Sequence, residues 1–260
     1  MRSFFKIFFA SFLSLIIFCI LAFFILVGII SSLTSKEKPV IASKSVLVLD
    51  LGQLFHERAQ QNNPLAALSE EGNPPGLFDV IRLIRNAKTD NNVSGIYITA
   101  DDNANGFASS NELRNALLDF KTSRKFVIAY GDVMTQKAYF VANAADKVYV
   151  NPSGGFDWKG FSVSFAFLKG TLEKLDIQPQ IFYAGKYKSA TEMFRTDQMT
   201  PENKLQTTVW LNAIYNYFLM QSAKARGLDT ATLHLLANTA AIQTPEDAYN
   251  NRQMPPHLQN

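Results

Sequence analysis

The longest apolar stretch comes first. From Ile7 to Leu33 no charged residue interrupts the run, and about 27 residues at a helical rise of ~1.5 Å reach ~40 Å, enough to cross a bilayer with tilt. A cleaved signal peptide has a shorter apolar core of ~7–15 residues closed by a small-residue site, a pattern that Ser31-Ser32-Leu33-Thr34-Ser35 matches poorly. Residues 1–34 therefore predict an uncleaved anchor. Residues 35–44, polar and broken by Pro39, predict a linker.

Beyond it the pattern becomes an alternation of strands and helices. Ser45 to Leu51 is an aliphatic, β-branched run of the kind a buried strand requires. Gly52 to Gly76 has no period and holds Pro64, Pro74 and Pro75, which predicts a long loop. Leu77, Val80, Ile81 and Ile84 then mark one face of a helix over 77–87, and Val93 to Thr99 reads as a strand. Ser109 with Glu112 resembles a capping box opening a helix to Phe120. Phe126 to Tyr130 is a third strand, Gln136 to Ala142 a short helix, and Lys147 to Val150 a fourth strand closed by Asn151-Pro152. A helix from Phe165 to Leu175 and a strand from Gln180 to Tyr183 follow.

Two later helices carry sharper signals. Thr200-Pro201 is a cap followed by proline at the first helical position, and Gly227 ends the helix after Arg226. In it Trp210, Ile214, Tyr217 and Phe218 recur at spacings of three and four, which predicts a core stripe. Thr244-Pro245 repeats the cap for a helix to Asn250. The whole predicts an α/β domain over 45–251, a mostly parallel sheet with right-handed crossovers and helical cover, ending in a divergent, proline-broken tail over 252–260.

Composition narrows the function. The only cysteine, Cys19, lies in the apolar run, so no intramolecular disulfide is possible. The net charge is +3, and no basic run or basic-aromatic stripe occurs outside the flanks of the span, which argues against nucleic acid. Arg2 and Lys6 precede the span while Lys36 and Lys38 follow it with Glu37 between, so charge counting barely sets its orientation. The very short amino-terminal flank favours export of the domain.

Candidate chemistry gathers in Tyr183-Ala184-Gly185-Lys186-Tyr187-Lys188-Ser189-Ala190-Thr191-Glu192-Met193-Phe194. A lysine serves as general base only when its ammonium loses a proton near neutral pH, which requires burial or a neighbouring cation. Lys186, two positions away in an extended segment, would share a face with Lys188, and Gly185 would permit a sharp turn. Other chemistry is thin. His56, His234 and His257 are scattered, no Gly-x-Ser-x-Gly, phosphate or dinucleotide motif occurs, and no metal or cofactor is implied. Asp101, Asp102 and Asp119 read as surface charge, and Ser153-Gly154-Gly155 as a turn.

The lysine stretch resembles the Gly-x-Tyr-Lys-Ser motif of the signal peptide peptidase A family, membrane-anchored serine-lysine peptidases of the ClpP/crotonase superfamily. Gly185, Tyr187, Lys188 and Ser189 fit it position by position, while Met193 stands where proline is commoner. The resemblance, which covers Ser45 to Asn250, implies that fold, with Lys188 as general base supported by Gly185, Lys186, Tyr187 and Ser189. Matching on Tyr139 puts Gln136 where the family's short form has its nucleophilic serine, and a primary amide is no nucleophile. The glycine-rich oxyanion turn is replaced by Asp101-Asp102-Asn103-Ala104-Asn105-Gly106.

A kept lysine with a lost serine is the pattern of the amino-terminal half of the family's double-length form, whose other half supplies the serine and the oxyanion hole. The resemblance thus implies a bacterial inner-membrane protein with its domain on the periplasmic side. It further implies hydrolysis of remnant signal peptides, homo-oligomeric assembly, and little activity in this chain alone. Two rivals stand beside it: a non-catalytic membrane-tethered scaffold, and a crotonase-like acyl-thioester enzyme, against which the altered oxyanion turn and the membrane span both argue.

Overall fold

A computed structural model describes residues 2–34, 41–59 and 75–252. Residues 35–40 of the expected linker, 60–74 of the expected loop with Pro64, and 253–260 of the expected tail with His257 lie outside the described residues. The chain divides into two units, Met1–Ser43 with Phe55–Val80, and Lys44–Leu54 with Ile81–Asn260. The first carries helix α1 (Arg2–Thr34), of which the 26 residues Ser3–Gly28 are long and apolar enough to cross a membrane, none of that span being buried.

The second unit is built on four parallel strands in the order β1 (Ser45–Asp50), β2 (Val93–Thr99), β3 (Phe126–Met134) and β4 (Lys147–Phe156). Each neighbour in the sheet is the next strand in sequence, so every connection is a crossover. They run through α2 (Leu77–Thr89), α3 (Phe107–Lys121) and α4 (Gln136–Ala142). Ile96, Ile98, Val127, Ala129, Val148 and Val150 are buried to 1% exposure or less, because a parallel sheet covered on its faces excludes water from its centre. Helix α2 buries Leu77, Val80 and Ile84 of the apolar face read from the sequence, with Ala87 in addition, and leaves Ile81 half-buried.

The last two strands run longer than their apolar patterns. β3 continues through Gly131 to Met134, and β4 continues past Asn151-Pro152 to Phe156. Pairing holds from Ile128↔Lys147 to Gly131↔Val150 and resumes at Val133↔Gly155, so β4 makes a wide excursion opposite Asp132. Pro152 sits in that excursion, where its missing N–H removes no ladder bond. Gly154 makes it possible: a Cβ there would lie 1.7 Å from the Asp132 carbonyl oxygen. Asn151 Nδ2 donates to Asp132 Oδ1 (2.9 Å), and its Oδ1 accepts from Ser153 N–H (3.0 Å). The expected turn at Ser153-Gly154-Gly155 is this irregularity inside a strand.

Three further expectations are corrected. Helix α3 starts at Phe107 with Gly106 as N-cap and no side-chain cap, so Ser109 and Glu112 form no capping box. The start is fixed instead from the preceding loop, where buried Asn103 donates through Nδ2 to Ser110 Oγ (2.9 Å). Of the helix expected over Phe165–Leu175 only α5 (Lys169–Lys174) forms, because Leu168 N–H donates to Met193 O (2.6 Å) and holds the preceding residues out of the helix. No strand forms over Gln180–Tyr183. Nothing among the described residues pairs with it, and an extended run without a partner is not a sheet.

The carboxyl-terminal helices follow their caps closely. A 3₁₀ turn (Ser189–Thr191) and α6 (Glu192–Arg195) precede α7 (Pro201–Arg226), which opens on Thr200 and closes on Gly227 at φ +65°. α8 (Thr230–Asn238) and α9 (Pro245–Asn250) follow, the latter with Thr244 and Asp247 forming a reciprocal capping box. The expected core stripe of α7 is only partly buried: Phe218 is 1% exposed, but Trp210 is 53% exposed.

α7 is fastened at its carboxyl-terminal half. Trp158, 2% exposed, stacks toward Tyr139 and Phe218 and donates through Nε1 to Leu233 O (3.1 Å). Arg114, also 2% exposed, donates to Phe140 O (3.1 Å), Gln221 O (3.3 Å) and Asn143 Oδ1. Asn143 Nδ2 in turn donates to Ser222 Oγ (3.1 Å). Burial pulls the guanidinium down to about 10, so the acceptors offset a real desolvation cost. Arg114→Ala leaves those acceptors unpaired across α3, α4 and α7, and is expected to cost about 3–4 kcal/mol in a urea melt. Arg114→Lys should recover only part, since one ammonium cannot reproduce the fork.

Candidate active site

The lysine motif sits on the turn that leads into α6. Gly185 adopts φ +89°, a left-handed value that favours glycine, as the sharp turn requires. Residues 186 and 187 complete the turn, and Lys188, at φ -95° and ψ 72°, caps the 3₁₀ segment that follows. Tyr187, Lys188 and Ser189 line one open cleft of about 470 Å³ together with Phe182, Tyr183 and Thr191. Lys186 does not line it, and residues 186 and 187 form a turn rather than the extended segment that the expected shared face of Lys186 and Lys188 requires. Lys188 is exposed, and among the described residues its ammonium has no hydrogen bond or ion pair.

What fixes this loop is a carboxylate the sequence reading passed over. Glu192 is 1% exposed, four residues after Lys188. Its Oε1 accepts from Thr200 Oγ1 (2.6 Å), and its Oε2 accepts from Asn203 Nδ2 (2.7 Å) and Thr200 N–H (3.2 Å). Arg195 lies 3.5 Å from Oε1. Burial alone would raise this acid, but the bonds from Thr200 and Asn203, with Arg195 nearby, outweigh it and hold Glu192 below the usual range. The carboxylate also lies at the amino terminus of α7, where the helix dipole favours an anion. Arg195 meanwhile stacks on Tyr183, its guanidinium carbon 4.1 Å from the ring centroid. The usable sequence signal was a glutamate between the lysine turn and the Thr200-Pro201 cap.

Gln136 lies elsewhere, at the first position of α4 after the cap Thr135, whose Oγ1 accepts from Ala138 N–H. It lines a second cavity, of about 410 Å³, that shares no residue with the lysine cleft. No nucleophilic side chain occupies its place. The loop facing it is pinned rather than open: Asp101 Oδ1 accepts from the N–H groups of Asp132 and Val133, and Asp102 Oδ1 accepts from Thr135 Oγ1 (3.1 Å). Asn103 donates to Lys137 O (3.0 Å), and Asn105 donates to Gln53 O (3.0 Å). Of the two carboxylates only Asp102 lines the cavity, and a carboxylate there opposes the build-up of negative charge. Asp101 and Asp102 are thus structural pins rather than loose surface charge. Ser153, in the β4 excursion, and His234, bonded to Asn238 (2.9 Å), belong to neither cavity.

A crossover-wound parallel sheet, a chain that opens with an apolar helix, and a Gly-Lys-Tyr-Lys-Ser turn opening on a cleft together suit a serine peptidase domain. Residues 119–252 match the family model described as Peptidase family S49, and the chain belongs to that family. It is 30% identical over 186 residues to Protease 4 of Salmonella typhi, covering 68% of this chain and 30% of that protein. To Protease 4 of Haemophilus influenzae it is 32% identical over 217 residues, 78% of this chain and 34% of the other. To the chloroplastic serine protease SPPA of Arabidopsis thaliana it is 32% identical over 141 residues, 54% and 21%. The chain spans about a third of the length of the two bacterial relatives.

The Glu192 network makes a pH-dependent prediction. Its folded-state value lies below the ordinary 4.5, so its contribution is complete above that value and is lost as pH falls from there through the lower folded value. Amide exchange of residues 183–195, corrected for intrinsic rate, should accelerate over that window more than exchange of the sheet. Glu192→Ala should show the fast exchange already at pH 7 and lose about 2–3 kcal/mol of global stability.

Proposed function

We propose that this chain is the lysine-bearing half of a membrane-anchored serine-lysine endopeptidase, acting on signal-peptide remnants left in or near the membrane. The observation that carries the reading is the pairing of a Gly-Lys-Tyr-Lys-Ser turn, opening on a cleft and braced by Glu192, with an amide, Gln136, in the place of a nucleophile. The serine and the oxyanion hole come from a second, homologous half. Neutral Lys188 Nζ takes the proton from that serine's hydroxyl as the oxygen attacks the scissile carbonyl, and returns it to the departing amine. Water then enters by the same exchange and releases the acyl group.

The exposure of Lys188 fits a half-site. The chain supplies neither burial nor a second cation in the cleft, so the cover that frees the amine of its proton has to come from the partner segment. Phe182, 91% exposed, with Tyr183 and Tyr187 at 54% each, offers that segment an apolar landing beside the lysine. In this reading α1 anchors the chain in the bacterial inner membrane with the domain on the periplasmic side, and the complete enzyme assembles as a homo-oligomer. The same exposure also favours a second reading, a non-catalytic tethered scaffold, in which Lys188 stays solvated in every complex.

Co-expression with a serine-bearing half and an assay of peptide cleavage separates the two. Lys188→Ala should lower kcat by about 10²–10⁴-fold, and Lys188→Arg by as much, because a guanidinium stays protonated. Cleavage that survives Lys188→Ala refutes the catalytic assignment. This chain alone should hydrolyse no peptide, and serine-reactive labelling of Ser153 or Ser189 would contradict that.

A further inference from the structure

The cavity beside Gln136 has three features that a vestigial pocket does not need. Its walls are apolar, with Phe161, Trp210, Ile214 and Phe218 among them, and its volume of about 410 Å³ falls within the range of ligand pockets. Trp210 remains 53% exposed there, although the rest of its helix face turns inward at Phe218. The second feature is a buried donor without a partner. Gln136 is 6% exposed, its Oε1 accepts from Lys159 N–H (2.6 Å), and its Nε2 is buried with no hydrogen bond. The Lys159 donor fixes that orientation, since a flipped amide would set two donors against each other. An unpaired buried amide is costly unless a ligand completes it.

The third feature is the wall itself. Gly160, Phe161 and Ser162 line the cavity in extended chain, and among the described residues no backbone N–H from Gly160 to Phe167 donates to another protein group. The segment is nevertheless held in place: Phe161 packs its ring 5.3 Å from Phe218 and 5.2 Å from Tyr215, centroid to centroid. An extended run whose N–H groups have no protein acceptor, beside an apolar pocket, is the kind of surface to which an extended peptide adds as a strand. The rim charges, Asp102 and Asp157 against Lys137 and Lys159, cancel by type, and Asp157 pairs with Lys159 at 2.8 Å. The surroundings therefore suit an uncharged interior stretch of peptide rather than a free terminus.

We propose that this cleft binds an extended, apolar peptide segment without cleaving it. One aliphatic or aromatic side chain fills the cavity under Trp210, the backbone pairs with Gly160–Ser162, and Gln136 Nε2 donates to a peptide carbonyl. The site is separate from the lysine cleft, and the inference does not draw on Lys188. In the proposed enzyme it would hold a substrate strand away from the chemistry and extend selectivity beyond the cleaved bond.

The test is a titration of the full chain in lipid nanodiscs with an acetylated, amidated leucine-alanine hexapeptide, read by Trp210 fluorescence and by calorimetry. A saturable blue shift is expected, lost optically in Trp210→Phe while the calorimetric binding stays. Gln136→Glu, which keeps the Lys159 contact and removes the donor, should weaken binding about tenfold. Ile214→Trp, which fills the cavity, should abolish it while circular dichroism and the emission of buried Trp158 stay unchanged. The backbone pairing predicts that the same peptide with N-methylated amides binds at least tenfold more weakly. Equal binding of the N-methylated peptide, or undiminished binding to Ile214→Trp, overturns the proposal. Neither result bears on cleavage by the assembled enzyme, which depends on Lys188.

Discussion

The lysine turn depends on one carboxylate. Residues 157–188 contain a single short helix and no strand, so the sheet's ladder cannot position Lys188. Glu192 does so instead, by gathering Thr200 and Asn203 onto an anion at the start of α7. A buried carboxylate without donors would be expelled or neutralised, which makes the helix terminus and the loop mutually dependent. α7 in turn is fastened to the body by Arg114, Asn143 and Trp158. The chain of support therefore runs through α4 and α7 to the lysine turn, by bonds that each engage at least one side chain.

That arrangement explains which parts were legible in the sequence. Elements whose signal is local came out nearly as read: the helix at Gln136–Ala142, the α7 limits at Pro201 and Arg226, and the cap at Thr244. Misreadings fall where a distant atom decides. β4 continues beyond Pro152 because Gly154 lets its backbone approach Asp132, and no run of apolar residues announces that. The expected helix over Phe165–Leu175 loses its first half to a bond with Met193. Gln180–Tyr183 has a strand's composition and no strand to pair with. In the site, Gly185, Tyr187, Lys188 and Ser189 were visible as a motif, whereas Glu192 was not, because its role appears only once Thr200 and Asn203 fold back onto it.

The two halves of the chemistry are treated oppositely by this fold. Around Gln136 the loop that would need free N–H groups is closed by its own side chains, with Asp101, Asp102, Asn103 and Asn105 all engaged. A serine at position 136 would supply a hydroxyl without a ready oxyanion hole, since the facing loop is engaged by its own side chains and Asp102 lines the cavity. Around Lys188 the reverse holds. The backbone is braced, but the side chain is left in solvent beside the exposed rings of Phe182 and Tyr187.

Bringing a lysine from its ordinary basicity to one that serves at neutral pH takes about 4 kcal/mol. Desolvation by a docking segment supplies that order of energy only if it also covers Phe182, Tyr183 and Tyr187, whose burial would help drive the docking itself. Under the proposed function the exposed rim and the amine would act together, a segment that covers the first also desolvating the second. In the proposed half-site such coupling would tie the competence of the base to the seating of the serine-bearing segment, so that base and nucleophile would become active together.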